Sequence, residues 1–115
     1  MAQLRRDYPK FKALNSEVLV ILPNGPKMIA RYVGQTQNPY PILSDKGARV
    51  AAQYGIDTKH FLNISAFTPT VLLVDQAGLI RYTNYQTSYI QEPDDHEPLG
   101  VLAQMTAEAA AAVNP

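Results

Sequence analysis

The chain of 115 residues contains no cysteine. Disulfides, thiolate metal ligands and thiol catalysis by this polypeptide are thereby excluded, because each needs a sulfur that is not there. A surplus of one charge sign is also missing: ten Lys and Arg balance ten Asp and Glu. Nucleic-acid binding ordinarily needs a positive patch, so nucleic acid is not an expected partner. No apolar run approaches the roughly 18 residues of a membrane span, and the opening MAQLRRD has no signal-peptide core. The expectation is a cytoplasmic protein with no membrane partner. The two histidines, His60 and His96, lie far apart in sequence without ligand spacing. Ser16, Ser44, Ser65 and Ser88 lack any G-x-S-x-G setting. Neither a metal nor an organic cofactor is expected, and hydrolase chemistry has no support.

What the chain does have is centred on PTVLLVDQAGLIRY, residues 69–82. Val71 to Val74 form a continuous apolar run, which suits a strand covered on both faces. Asp75, Gln76, Ala77 and Gly78 supply turn chemistry, with Gly78 able to take a positive φ. Residues 79–85 alternate well enough to return as an antiparallel strand. Pro69 stands at the strand's opening, where no ladder donor is lost.

Earlier in the chain, Leu4, Tyr8, Phe11 and Leu14 recur at helical spacing, with Pro9 predicting a kink or a restart. Residues 17–22 read as a strand buried on both faces. Pro26 suits the first position of a second helix with Met28, Ile29, Tyr32 and Val33 as its apolar side and Gly34 as its cap. Residues 41–45 are a short extended piece. Ser44 or Asp45 then caps a helix carrying Ala48, Val50, Ala51 and Tyr54 that stops at Gly55. Residues 57–68 read as polar and irregular, anchored by Phe61, Ile64 and Phe67. A final helix starts at Glu97 and Pro98, with Leu99, Leu102 and Met105 inward. The sum is one domain over residues 1–115, an α/β mixed sheet flanked by helices.

Four segments in this order resemble the thioredoxin-like superfamily, and within it the AhpC/TSA (peroxiredoxin-like) redoxin domain. AQLRRDYPKF, residues 2–11, is similar to the helix after that family's catalytic cysteine, and residues 17–23 to the strand beyond it. PILSD and VAAQYGI, residues 41–45 and 50–56, are similar to its short strand, aspartate and next helix. TPTVLLVDQAGLIR, residues 68–81, is similar to its late hairpin. The resemblance implies a thiol-dependent antioxidant oxidoreductase active in cell redox homeostasis. It also places Thr68, Pro69 and Thr70 beside the redox cysteine, with Pro69 in a cis peptide; without it, Pro69 is an ordinary trans strand-opener. Peroxiredoxins proper carry an arginine where Pro69 stands, so the pattern is nearer to thioredoxins.

The family's cysteine and the strand leading to it would fall before Met1. The expected fold is therefore thioredoxin-like but truncated at the N-terminus, with no catalytic residue and no activity of its own. The absent strand would lie between residues 17–22 and 70–75. Its loss leaves an open apolar edge, which predicts a homodimer through that edge or a re-paired sheet. The alternative is a non-catalytic interaction module that uses the same edge. Arg81 reads as an exposed strand arginine rather than a site residue. Residues 94–97, DDHE, read as a solvated loop rather than a cation site. Tyr82, Tyr85 and Tyr89 read as strand packing.

Overall fold

The computed structural model describes residues 2–86 and 94–113. Helix α1 (Ala2–Ala13) runs unbroken through Pro9. It buries Phe11 and half-buries Leu4, Tyr8 and Leu14. It ends in a Schellman motif: the Asn15 N–H donates to the Lys12 carbonyl and the Ser16 N–H to the Phe11 carbonyl, with Asn15 at φ 56°.

Strand β1 (Val20–Leu22) is shorter than predicted and pairs in parallel with β2 (Ile42–Ser44) across helix α2 (Pro26–Thr36). The pairing register is Val20 with Ile42, Ile21 with Leu43 and Leu22 with Ser44. Around β1, Val18 and Val20 turn inward while Leu19 and Ile21 remain exposed. This period of two marks a strand covered on one face, not both. Helix α2 passes Gly34 and ends at Gln37, at φ 50°, whose N–H bonds the Val33 carbonyl. Ile29 is its buried residue, and Met28 faces out.

Asp45 closes the start of α3 (Arg49–Gln53). Its two carboxylate oxygens accept from the Val50 and Ala51 amides at 3.1 and 2.9 Å. Gly55, at φ 73°, ends that segment in a second Schellman motif: its N–H reaches the Ala52 carbonyl, and the Ile56 N–H reaches that of Ala51. Ala48 and Ala51 are buried beneath it, whereas Val50 and Tyr54 are exposed.

The stretch expected to be irregular is a hairpin of β3 (Thr58–Phe61) and β4 (Ile64–Phe67). Its turn is the pair Leu62 and Asn63, with Leu62 at φ 54°. Phe61 and Ile64 do not anchor it; both are strongly exposed. A turn with no glycine and strands with little alternation leave no signal of the kind that marks hairpins.

β5 (Thr70–Val74) and β6 (Ile80–Tyr85) form the predicted antiparallel pair, closed by Gly78 at φ 84°. Only Leu73 of β5 is buried, and Val74 is exposed. Helix α4 (His96–Val113) lies over this pair, presenting Leu102 to a core of Phe11, Val18, Tyr40 and Leu73. Tyr8 and Tyr40 meet at 5.5 Å between ring centroids.

Among the described residues the strands form three separate two-stranded ladders. β1 and β5 have not re-paired with each other, so each keeps one unpaired edge. Side chains explain this: Val18, just before β1, and Leu73 of β5 already share one buried cluster. Packing brings the two strands to one core without a backbone ladder between them.

Candidate functional site

The segment joining β4 to β5 holds the predicted site residues together by contiguity and by backbone bonds. Thr68 is 2% exposed, and its N–H donates to the Asp57 carbonyl at 3.0 Å. That bond fixes the base of the β3–β4 hairpin against the start of β5. Pro69 is half-buried; its carbonyl accepts from the Gln86 N–H at 3.0 Å, one step beyond the Thr70–Tyr85 pair. The Thr70 hydroxyl donates to the Thr68 carbonyl at 3.1 Å.

Pro69 follows a trans peptide bond, and no cis bond occurs among the described residues. The cis geometry implied by the resemblance is thus corrected. The ordinary trans preference of an X–Pro bond, about 0.5–1 kcal/mol, holds here.

Chemically, this segment can position backbone and bury a threonine, but it supplies no nucleophile. An activated hydroxyl needs an adjacent base. Among the described residues no histidine, carboxylate or lysine is hydrogen-bonded to Thr70, whose hydroxyl proton is already given to a carbonyl.

Arg81 lies on the exposed side of β6, where its guanidinium is held between two carboxylates. It reaches Glu108 of α4 at 3.1 Å and Asp75 of the turn at 3.5 Å. Asp75 also accepts from the Leu79 and Ala77 amides, both at 2.9 Å. Those bonds, the Leu79 amide first, hold its carboxyl below the usual range. Tyr82 is half-buried, and burial pushes its phenol up. Tyr89 lies outside the described residues. His60 bonds Ser65 across the β3–β4 hairpin at 3.0 Å, and Asp94 accepts from the His96 amide at 3.0 Å. No group of metal-ligating side chains occurs among the described residues.

Two polar clusters escaped the sequence reading. Glu17 accepts from the Tyr8 hydroxyl at 2.8 Å, the Val18 amide at 2.9 Å and the Lys12 ammonium at 3.0 Å. The Val18 amide, then Tyr8 and Lys12, pull its carboxyl down to about 2. Asp7 and Asp95 are both buried where α1 meets the start of α4. A lone acid between basic residues gives no sign of burial, so only the fold exposes that pair.

With the geometry in place, comparison with known proteins decides the family. The AhpC/TSA family profile matches residues 1–83, well over half of the chain. The chain belongs to the AhpC/TSA family. In three dimensions this AhpC/TSA domain is similar to Mycobacterium tuberculosis AhpC, with a TM-score of 0.75 at 15% identity. That likeness covers 93% of this chain and 60% of AhpC, so the domain spans less than two thirds of that relative. It is also similar to the peroxidoxin BcpB from Mycobacterium tuberculosis, with a TM-score of 0.65 at 18% identity, covering 98% of this chain and 68% of that one. At such identities the likeness establishes the thioredoxin-like fold. No curated protein matches the chain in sequence. No described helix is long and apolar enough to cross a membrane.

Proposed function

We propose that this AhpC/TSA domain is a redoxin scaffold without turnover of its own. Its family ancestry is thiol-dependent antioxidant chemistry, and its compartment on this reading is the cytoplasm. The observation that carries the proposal is the absence of any cysteine in the 115 residues. A peroxide- or disulfide-reducing redoxin attacks with a thiolate, and no other side chain among the described residues is activated to replace one. Thr68, Pro69 and Thr70 would be the remnant neighbours of that missing nucleophile, kept for their part in folding: they tie β3–β4 to β5–β6. The experiment is peroxide consumption with dithiothreitol as reductant. Background-level rates support the proposal, and protein-dependent turnover overturns it.

A second reading, binding through the sheet edge, draws on a separate observation. Among the described residues β1 and β5 each pair on one side only, and Leu19 just before β1, Ile21 within it and Val74 of β5 are exposed. Unpaired apolar strand edges are templates for another chain, and a second copy of this chain is the simplest one. Light scattering on a size-exclusion column tests it. A dimer at micromolar concentration supports edge pairing, and a monomer throughout removes it.

A further inference from the structure

The β3–β4 hairpin is fixed at its base and bare at its apex. At the base, the Thr68 N–H donates to the Asp57 carbonyl at 3.0 Å. Strand pairing runs out to Phe61 and Ile64, on either side of the turn. Phe61, Leu62 and Ile64 are 73%, 88% and 68% exposed, the three most exposed large hydrophobic side chains among the described residues. No hairpin residue belongs to the core cluster. Leu62 fills the first turn position at φ 54°, where a positive φ ordinarily brings glycine or asparagine. The turn thus accepts backbone strain to hold its most exposed apolar side chain at the apex. Folding gains nothing in return, because a side chain left in water contributes no burial.

The charge behind the apex has one sign. Residues 58–67 contain Lys59 and His60 and no acid. Lys46 is exposed and shares a cleft with Asn63, Ile64 and Ser65 of the hairpin, with Asn24 on the other wall. Across residues 23–67, five Lys and Arg stand against two Asp, although the whole chain is neutral. One of the two, Asp45, is buried with both oxygens taken by backbone amides. The other, Asp57, lies at the base of the hairpin, away from the apex. We infer that the apex docks on an anionic lipid surface, with Phe61, Leu62 and Ile64 entering the headgroup region and Lys46 and Lys59 meeting the lipid charge.

Shape and charge together select this partner. Contiguous exposed apolar side chains mark interaction sites. A convex apolar tip gains burial by entering the boundary between headgroups and acyl chains, and cations beside it are attracted by anionic lipid. The cleft next to Ile64, with Asn24, Asn63, Ser65 and Lys46, suits a hydrated phosphate headgroup rather than an apolar protein surface. Such a contact is peripheral and needs no spanning helix. It replaces the expectation of no membrane partner, which rested on the lack of an apolar run long enough to span.

Vesicle flotation of the full chain tests the inference, using phosphatidylcholine alone and phosphatidylcholine with about 30% phosphatidylserine. The expected result is flotation with the phosphatidylserine vesicles only, weakened at about 0.5 M salt because the attraction is screened. Phe61→Ser combined with Leu62→Gly should lower the bound fraction about tenfold, since the apolar tip is gone. Lys46→Gln should lower it about fivefold. The double variant should keep the wild-type circular dichroism and thermal midpoint, because neither side chain is in the core. Equal flotation with both vesicle types overturns the inference, as does undiminished binding by the double variant. Absence of flotation also overturns it; a wild-type dimer that the double variant loses would then make a second copy the occupant. Should the double variant fail to fold, the lipid and salt dependence of the wild type decides.

Discussion

Replacing Leu73 by alanine probes the joint on which the domain depends. Leu73 is 8% exposed and is the one buried residue of β5. It meets Phe11 of α1, Val18 ahead of β1 and Leu102 of α4 in a single cluster, so several elements converge on it without a shared ladder. Truncation removes the transfer free energy of the lost carbons and leaves a cavity, together about 2–4 kcal/mol for a buried leucine. For a chain of this length each kcal/mol shifts the thermal midpoint by about 4 °C, so the expected drop is about 8–16 °C. The neighbouring Val74 is the internal control. It is 54% exposed, and Val74→Ala should stay within about 0.5 kcal/mol. Urea unfolding and thermal melts of both variants make the comparison. Equal losses at the two positions would refute the claim that side-chain packing at Leu73 joins β5 to the rest.

Asp45→Ala removes the acceptor for both the Val50 and Ala51 amides and should cost about 1–2 kcal/mol in urea unfolding, with Asp45→Asn losing less. Gly78→Ala places a Cβ at φ 84° with nothing within 4 Å, so its cost is purely conformational, about 1–2 kcal/mol by thermal melt. Glu17 should titrate at about 2 by NMR. Because that folded value is lowered, its contribution is present above the unfolded pKa near 4.3 and is lost as pH falls towards 2. Wild type should therefore lose more stability than Glu17→Gln between about pH 5 and pH 2, by a small amount since the side chain is 47% exposed.

Much of the fold could be read ahead of the structure wherever a local rule sufficed. The β5–β6 hairpin announced itself through an apolar run and a glycine turn, and α3 through Asp45 before it and Gly55 after it. Two kinds of feature could not be read. One was the β3–β4 hairpin, whose turn forces Leu62 into a positive φ with no glycine to mark it. The other was anything set by tertiary neighbours. The apolar runs before β1 and in β5 look symmetric in sequence, but with one ladder partner each they are covered on one side only. Of the candidate site, Thr68, Pro69 and Thr70 are contiguous and were legible as a unit. The trans bond at Pro69 and the burial of Asp7 with Asp95 depend on residues distant in the chain, which no local pattern encodes.

The central claim is that this domain keeps the redoxin fold without redoxin chemistry. Peroxide consumption by the purified chain, with dithiothreitol in excess, addresses it most directly. The account predicts a rate equal to the protein-free background at every protein concentration. A rate that rises in proportion to protein would contradict it.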